Sequence, residues 1–394
     1  MAVTPDRRTP GGRPPGHEPT TLVPRRRASV EVRMESWRVP VEARNEELFS
    51  PPIQGRIETF RHQSQVLQGN PWGDPPERDL PVYLPPSGET SGRPLLVLLS
   101  GYAGSGWLHY QRPRFLEESL VARLDRLIRN GAAAEAVMIA PDCMTTLGGS
   151  QYLNSRATGR YEDYVVQEIV PWIQERYHTG PTAVFGTSSG GYGALVLGLR
   201  HPELFPVVGS DAGDAYFEYC YPPDFPVTLR EIRRAGGSEA LLRQIFRGPV
   251  GPVTPANPLM RALSTFAYSS AYSPIDSQPG RFDLPFDLDT GELRPEVWSH
   301  WLEQDPVRMV QTPKYSEAAR RLSLLFLLGG LRDEFGLDVS ARILAAAARR
   351  QEVKVELEIL DGGHFDKGPR YERMIPRLIS ALGFPPPKPG PSRL

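Results

Sequence analysis

The sequence predicts an α/β fold in which a mostly parallel, doubly wound sheet carries an inserted cap. Six short apolar runs alternate with helical patterns and have the composition of strands that are buried on both faces. These runs are residues 95–99, 136–140, 182–185, 207–210, 324–328 and 355–360. About 110 residues separate the fourth run from the fifth, far more than such a connection needs. The many aromatic residues of this connection favour a cap over the edge where ligands of such sheets bind.

The other elements follow from the spacing of apolar residues. Alternation over residues 55–67 and again over 79–84 predicts an antiparallel hairpin at one edge of the sheet. Apolar residues at helical spacing predict four of the helices, over residues 116–128, 165–173, 339–350 and 371–382. Gly131 stands where the first of these should stop, and Pro171 is expected to kink the second.

Composition divides the chain into one main domain and two terminal segments. Residues 1–50 are expected to be disordered or extended, because their first part is Pro, Gly, Arg and Thr without periodicity. Residues 51–384 are expected to form the α/β domain, with the cap at about 212–320. Residues 385–394 are expected to be a disordered tail.

Charge and cysteine content exclude several classes of protein. The formal net charge of -1 over 394 residues gives no support for nucleic acid or an anionic membrane as a partner. No apolar run is long enough to predict a membrane span, and no apolar segment follows the amino-terminal arginines as a secretory signal requires. Cys143 and Cys220 are too few for a disulfide framework and lack metal-ligand spacing. We therefore expect a cytoplasmic protein without a metal or cofactor.

The most informative stretch is TAVFGTSSGGYGAL at residues 182–195. It places G-x-S-x-G between a predicted strand and a predicted helix, the context in which this motif indicates a nucleophile. The turn holds Ser188 in a strained conformation, and only small neighbours such as Gly186 and Gly190 fit there. The N–H groups that open the helix point at the same space, so a nucleophile and an anion site are built together.

A serine nucleophile needs a base that is itself oriented by a carboxylate. Of the seven histidines, His364 fits best, because it lies in a glycine-containing loop after the last predicted strand. Asp333 is the first carboxylate after the strand at 324–328 and is the predicted acid. Glu334 and Asp338 remain alternatives, although Asp338 is better placed to cap the next helix.

Two backbone N–H groups should stabilise the negative oxygen of the reacting carbonyl. Ser189 follows the nucleophile and is predicted to supply one of them. The loop after residues 95–99 is predicted to supply the other, from Tyr102 or, as second choice, Gly101. In the cap, most aromatic residues should form a core, while Tyr216 and Phe217 directly follow a strand and are the predicted substrate contacts.

Five segments together resemble a known enzyme family: residues 99–102, 159–164, 186–193, 332–335 and 363–364. Their pattern is similar to the esterase family of α/β-hydrolases that includes S-formylglutathione hydrolase, enterochelin esterase, feruloyl esterases and the antigen 85 proteins. The resemblance spans roughly residues 55–384, and it implies Ser188, Asp333 and His364 as the triad. Ser100-Gly101 stands where many hydrolases have His-Gly, and the long cap is unlike those compact enzymes.

These observations predict a serine carboxylesterase that acts on a small-molecule ester or thioester without a cofactor. An acyltransferase would use the same three residues, so the sequence leaves that alternative open. A catalytically silent binding protein is a third possibility, and the presence of all three triad candidates argues against it. The sequence does not predict an oligomeric state.

Overall fold

An eight-stranded sheet forms the centre of the computed structural model, which describes residues 53–111 and 117–387. The strands, in chain order, are β1 (Arg56–Gln63), β2 (Glu77–Leu84), β3 (Leu95–Leu99), β4 (Val137–Ile139), β5 (Asn154–Ser155), β6 (Gly159–Arg160), β7 (Thr182–Thr187), β8 (Val207–Asp211), β9 (Leu324–Gly330) and β10 (Val355–Leu360). Strands β5 and β6 form a separate pair, and the large sheet has the order β1-β2-β4-β3-β7-β8-β9-β10. Strand β2 is antiparallel to β1 and β4, and the other neighbours are parallel.

This sheet confirms the predicted fold class. All six apolar runs are strands, and their bounds shift by no more than two residues from those expected. The predicted hairpin lies at one edge, where Arg56 pairs with Leu84 and Gln63 with Glu77. The predicted segment 1–50 and the end of the predicted tail lie outside the described residues.

Helices pack on both faces of the sheet. In chain order they are α1 (Leu120–Arg129), α2 (Tyr161–Asp163), α3 (Val170–Tyr177), α4 (Ser189–Arg200), α5 (Phe217–Cys220), α6 (Phe225–Ala235), α7 (Ser238–Ile245), α8 (Pro258–Tyr272), α9 (Pro295–Glu303), α10 (Pro306–Met309), α11 (Pro313–Arg320), α12 (Leu337–Arg350) and α13 (Lys367–Ala381). Strand β3 shows how the faces divide, because Leu96 and Leu98 join the buried cluster of α1 and α13. Its alternate residues, Leu95, Val97 and Leu99, join the larger cluster that contains α3, α4 and α12.

The irregularity expected at Pro171 lies just before that residue. A π-helical segment, Tyr164–Ile169, precedes α3, and Pro171 stands in the first turn of α3. Proline has no N–H to donate to the preceding turn, so one helical hydrogen bond is already absent at this point. The preceding turn can therefore adopt the wider π-helical form without losing another.

Seven helices, α5 to α11, lie in the long connection between β8 and β9. Most of its large aromatic residues are buried against each other, as the sequence predicted. Trp301 is fully buried, and its indole N–H donates to Ser273 Oγ at 3.0 Å. The cluster reaches the sheet layer through Tyr192 of α4, whose ring lies 5.9 Å from Phe217 and 5.7 Å from Tyr272. The connection therefore packs directly over the helix that follows Ser188.

Among the described helices, none has both the length and the apolar character that crossing a membrane would require.

Candidate active site

Ser188 stands at a sharp turn between β7 and α4. Its backbone has φ 58° and ψ -128°, a conformation that is strained for any residue with a side chain. Close packing explains the flanking glycines, because a Cβ at Gly186 would lie 2.5 Å from the Leu99 carbonyl oxygen and one at Gly190 only 2.1 Å from it. The Ser188 N–H donates to the Asp211 carbonyl oxygen at 3.0 Å. Strands β3 and β8 thus hold the turn from both sides.

His364 and Asp333 are joined by a hydrogen bond of 2.8 Å between Nδ1 and Oδ2. Both residues are buried, and Asp333 Oδ1 also accepts from the N–H groups of Phe335 at 2.9 Å and Leu337 at 3.3 Å. Burial acts to raise the pKa of Asp333, but the hydrogen bond and charge of His364 and these N–H groups outweigh it and lower the pKa. An ionised Asp333 favours the proton on Nδ1, which leaves Nε2 of His364 able to accept one.

The backbone of the His364 loop is held by Glu334, which the sequence left open as an alternative acid, and by Arg370, which the sequence did not indicate. The His364 N–H donates to Glu334 Oε2 at 2.6 Å. Arg370, at the start of α13, donates to the carbonyl oxygens of Gly363 at 2.8 Å and His364 at 2.7 Å. These contacts fix the position of the imidazole ring, since its backbone is bound on both its N–H and its C=O side.

Ser188 and His364 line one cavity of about 100 Å³, together with Gly101 and Tyr102. Gly101 lies beside the nucleophile, because a Cβ built on it would be 3.5 Å from Ser188 Cβ. In the described part of the chain, the Ser188 hydroxyl has no hydrogen bond to His364. Catalytic hydrogen bonds are often long before substrate binds and shorten in the complex. The structure therefore brings the predicted nucleophile, base and acid to one site.

Of the two predicted N–H donors, Tyr102 lines this cavity, and Ser189 directly follows the lining residue Ser188. Ser189 is the first residue of α4, so its N–H has no acceptor within the helix. In the loop after β3, Ala103 donates to Gly148 and Gly104 to Gly101, whereas the Tyr102 N–H has no acceptor among the described residues. The Tyr102 hydroxyl donates to the Leu147 carbonyl at 2.7 Å, which holds this loop in place.

The predicted substrate contacts, Tyr216 and Phe217, do not line this cavity. Phe217 is fully buried against aromatic neighbours, and Tyr216 packs against Tyr219 with ring centres 4.8 Å apart. Cys220 and Tyr221, one turn further along, line the cavity instead. Packing holds Phe217 away from the cavity, because its ring lies 4.6 Å from Tyr221 and 5.2 Å from Tyr272. Tyr216, which precedes the short helix α5, has a left-handed backbone with φ 52°.

The other residues that line the cavity come from several elements. Asp214 and Tyr221 follow β8, Tyr268 belongs to α8, and Phe335 follows β9. No group of three or more His, Cys, Asp or Glu residues suited to a metal ion occurs in residues 53–111 and 117–387. Among the described residues, the site has a serine at a strained turn, an oriented imidazole and two N–H groups without an acceptor. These are the parts needed for acyl transfer.

Comparison with known proteins identifies the class. The chain matches the protein-family model described as "Putative esterase" over residues 75–380, and it belongs to that family of α/β-hydrolases. A curated relative, the MPT51 antigen of Mycobacterium leprae, is 32% identical over 94 residues, which are 20% of this chain and 31% of the relative. The match thus spans less than a third of the length of that relative.

Two solved structures show the same fold. A ferulic acid esterase superimposes with a TM-score of 0.55 at 19% identity, over 84% of this chain and 100% of the other. An S-formylglutathione hydrolase from Agrobacterium tumefaciens gives a TM-score of 0.52 at 16% identity, over 84% of this chain and 97% of the other. The family and the fold support an enzyme of the esterase type.

Proposed function

We propose that the protein is a serine carboxylesterase that hydrolyses a small-molecule ester or thioester through an acyl-enzyme on Ser188. The observation that carries this proposal is the 2.8 Å hydrogen bond between Asp333 and His364, in a cavity that both Ser188 and His364 line. Membership of an esterase family supports the same conclusion. Neither step of the reaction calls for a metal or an organic cofactor.

In the first step, Ser188 Oγ attacks the ester carbonyl while His364 Nε2 takes the hydroxyl proton. The carbonyl oxygen becomes negative and accepts hydrogen bonds from the N–H groups of Ser189 and Tyr102. His364 then gives the proton to the leaving alcohol, and the ester bond breaks. In the second step, water loses a proton to His364 and attacks the acyl carbon, which releases the acid and restores Ser188.

Residues of the connection between β8 and β9 support its role as a cap at about 212–320. Tyr221, Arg261 and Tyr268 from this connection line the cavity beside Ser188. The cavity of about 100 Å³ is far smaller than the pockets of roughly 300–1,000 Å³ that hold drug-sized ligands. We therefore propose that the acyl group is short and lies against the aromatic rings of the cap.

Hydrolysis of p-nitrophenyl esters of increasing acyl length tests both statements. Wild type should cleave acetate and butyrate esters much faster than octanoate, and Ser188→Ala should lose activity by several orders of magnitude. Tyr268→Ala, which removes a ring 4.7 Å from Tyr221, should shift the preference toward longer chains. Equal activity of wild type and Ser188→Ala would show that Ser188 is not the nucleophile.

Product analysis with added alcohols tests hydrolysis against acyl transfer, which would use the same acyl-enzyme. We expect free acid as the product with every alcohol. A new ester that forms at the expense of free acid would instead identify an acyltransferase. Absence of labelling of the isolated protein by a fluorophosphonate would favour a binding role.

A further inference from the structure

Asp214 is a buried carboxyl group next to the proposed oxyanion site, and the mechanism above does not use it. It follows β8 and is 4% exposed. One of its oxygens, Oδ2, accepts three hydrogen bonds, from the Tyr221 hydroxyl at 3.0 Å, Gln151 Nε2 at 3.2 Å and the Ser189 hydroxyl at 3.4 Å. Three donors on one oxygen fix the orientation of the whole carboxyl group.

The other oxygen, Oδ1, accepts no hydrogen bond from the described residues. This atom is not completely buried. Asp214 lines the same cavity as Ser188. Two basic residues line this cavity, Arg261 and Lys367. Arg261 pairs with Asp224 at 2.6 Å, and neither residue forms an ion pair with Asp214 in the described ranges. The protein thus maintains an unpaired acceptor beside its nucleophile.

A second layer of hydrogen bonds holds this arrangement. The Tyr272 hydroxyl bonds to Gln151 Nε2 at 2.8 Å and to the Tyr221 hydroxyl at 2.9 Å. Tyr272 does not line the cavity, so it supports two of the three groups that hold Oδ2 without reaching the substrate. Rigid support of this kind is what a recognition group requires, because the substrate then spends no binding energy on ordering it.

We propose that Asp214 Oδ1 binds a hydrogen-bond donor, a hydroxyl or an ammonium group, that the ester substrate carries on the carbon next to its carbonyl. This inference rests on the proposed function of Ser188. The donor is placed next to the carbonyl because Asp214 is adjacent to the proposed oxyanion site. The Ser189 hydroxyl bonds to Asp214, and the Ser189 N–H is proposed to donate to the carbonyl oxygen. The substrate class is therefore the esters of short 2-hydroxy or 2-amino acids.

A site with an unpaired acceptor rejects analogues that lack the donor, since the acceptor then stays unpaired in the complex. Three esters on one carbon skeleton test this: ethyl propionate, ethyl lactate and ethyl alaninate. Wild type should prefer lactate or alaninate over propionate by about 10- to 100-fold in kcat/KM. The comparison of lactate with alaninate distinguishes a hydroxyl donor from an ammonium donor.

Asp214→Asn should remove this preference. Because Gln151 Nε2 donates to Oδ2 and cannot accept, the amide oxygen takes that place, and the NH2 group then faces the cavity as a donor. The measured quantity is the ratio of kcat/KM between two esters within each variant, so a general loss of activity cancels. Asp224→Asn is the matched control, because Asp224 lines the same cavity but is already paired with Arg261, and it should keep the wild-type ratio.

Each outcome bears on one of the two proposals. A wild type that hydrolyses all three esters without preference overturns the role of Asp214 and leaves Ser188 untouched. The same holds if Asp214→Asn keeps the preference, or if Asp224→Asn loses it equally. A wild type that hydrolyses none of these esters and no p-nitrophenyl ester would overturn the esterase itself. The wild-type ratio decides the question even if Asp214→Asn does not fold.

Discussion

Arg370 and Asp211 form an ion pair of 2.5 Å between Nε and Oδ1, and both residues are fully buried. Asp211 ends β8 and accepts from the Thr187 hydroxyl at 3.1 Å, while its carbonyl accepts from the Ser188 N–H. Arg370 holds the carbonyl groups of the His364 loop. One buried ion pair therefore connects the turn of the proposed nucleophile to the loop of the proposed base.

Replacing Arg370 by Met should lower the free energy of unfolding by about 3–5 kcal/mol, because it leaves the Asp211 charge buried and unpaired. Urea unfolding followed by circular dichroism measures this. Arg332→Met is the control, since the ion pair of Arg332 with Asp361 is exposed and should contribute less than about 1 kcal/mol. Equal losses in the two variants would contradict a structural role for the buried pair.

Asp333→Asn should reduce kcat by roughly 10⁴-fold while the protein stays folded, because the amide no longer selects the imidazole tautomer that can accept a proton at Nε2. Steady-state hydrolysis of p-nitrophenyl acetate measures the loss.

The neighbouring acid provides a control for that measurement. Glu334 contacts the backbone N–H of His364, and Glu334→Gln keeps an oxygen there to accept it. We expect Glu334→Gln to change kcat by less than about tenfold. A larger loss in Glu334→Gln than in Asp333→Asn would assign the acid to Glu334.

Gly190→Ala should destabilise the protein by at least about 1–3 kcal/mol, because the new Cβ would stand 2.1 Å from the Leu99 carbonyl oxygen, a backbone atom that cannot move aside cheaply. Gly248 has no atom within 4 Å of its Cβ position, so Gly248→Ala should be neutral or slightly stabilising. Thermal unfolding of both variants measures the difference. A stable Gly190→Ala would mean that β3 and the turn at Ser188 separate more easily than their contact implies.

The stability of wild type relative to Asp214→Asn should fall as pH rises. Burial raises the pKa of Asp214 above its value in the unfolded chain, although its hydrogen bonds oppose the shift. The carboxyl therefore contributes its full stability below the unfolded pKa, near pH 4, and loses it as pH rises through the folded pKa. Urea unfolding of the two proteins between about pH 4 and pH 7 measures the difference. A difference that grows with pH would contradict this sign.

Much of the fold was predictable because buried parallel strands leave a local signal. The run at residues 95–99 is β3 without change of bounds, and the turn at Ser188 follows from glycines adjacent in sequence. The hydrogen bond between Asp333 and His364 joins residues that both follow strands at the carboxyl edge of the sheet. Sequence order and strand ends were therefore enough to place these two residues together.

The remaining site residues depend on contacts that the sequence does not display. Tyr216 adopts a positive φ although it is not glycine, and Tyr221 rather than Phe217 lines the cavity. Arg370 lies in the sequence KGPRYERM, where an arginine at a helix start is expected to be exposed. Its burial is due to Asp211, which lies 159 residues earlier in the chain and is adjacent only in the folded sheet.

The connection between β8 and β9 has a consequence for refolding. These strands are neighbours in the sheet, with Val207 opposite Leu324, but residues 212–323 lie between them in the chain. Closing a loop of this length costs on the order of 4 kcal/mol in chain entropy before any contact compensates it. Ser188 precedes this loop in the chain, and Asp333 and His364 follow it. After dilution from denaturant, catalytic activity should therefore return later than helical signal, at the rate at which this one pair of strands joins.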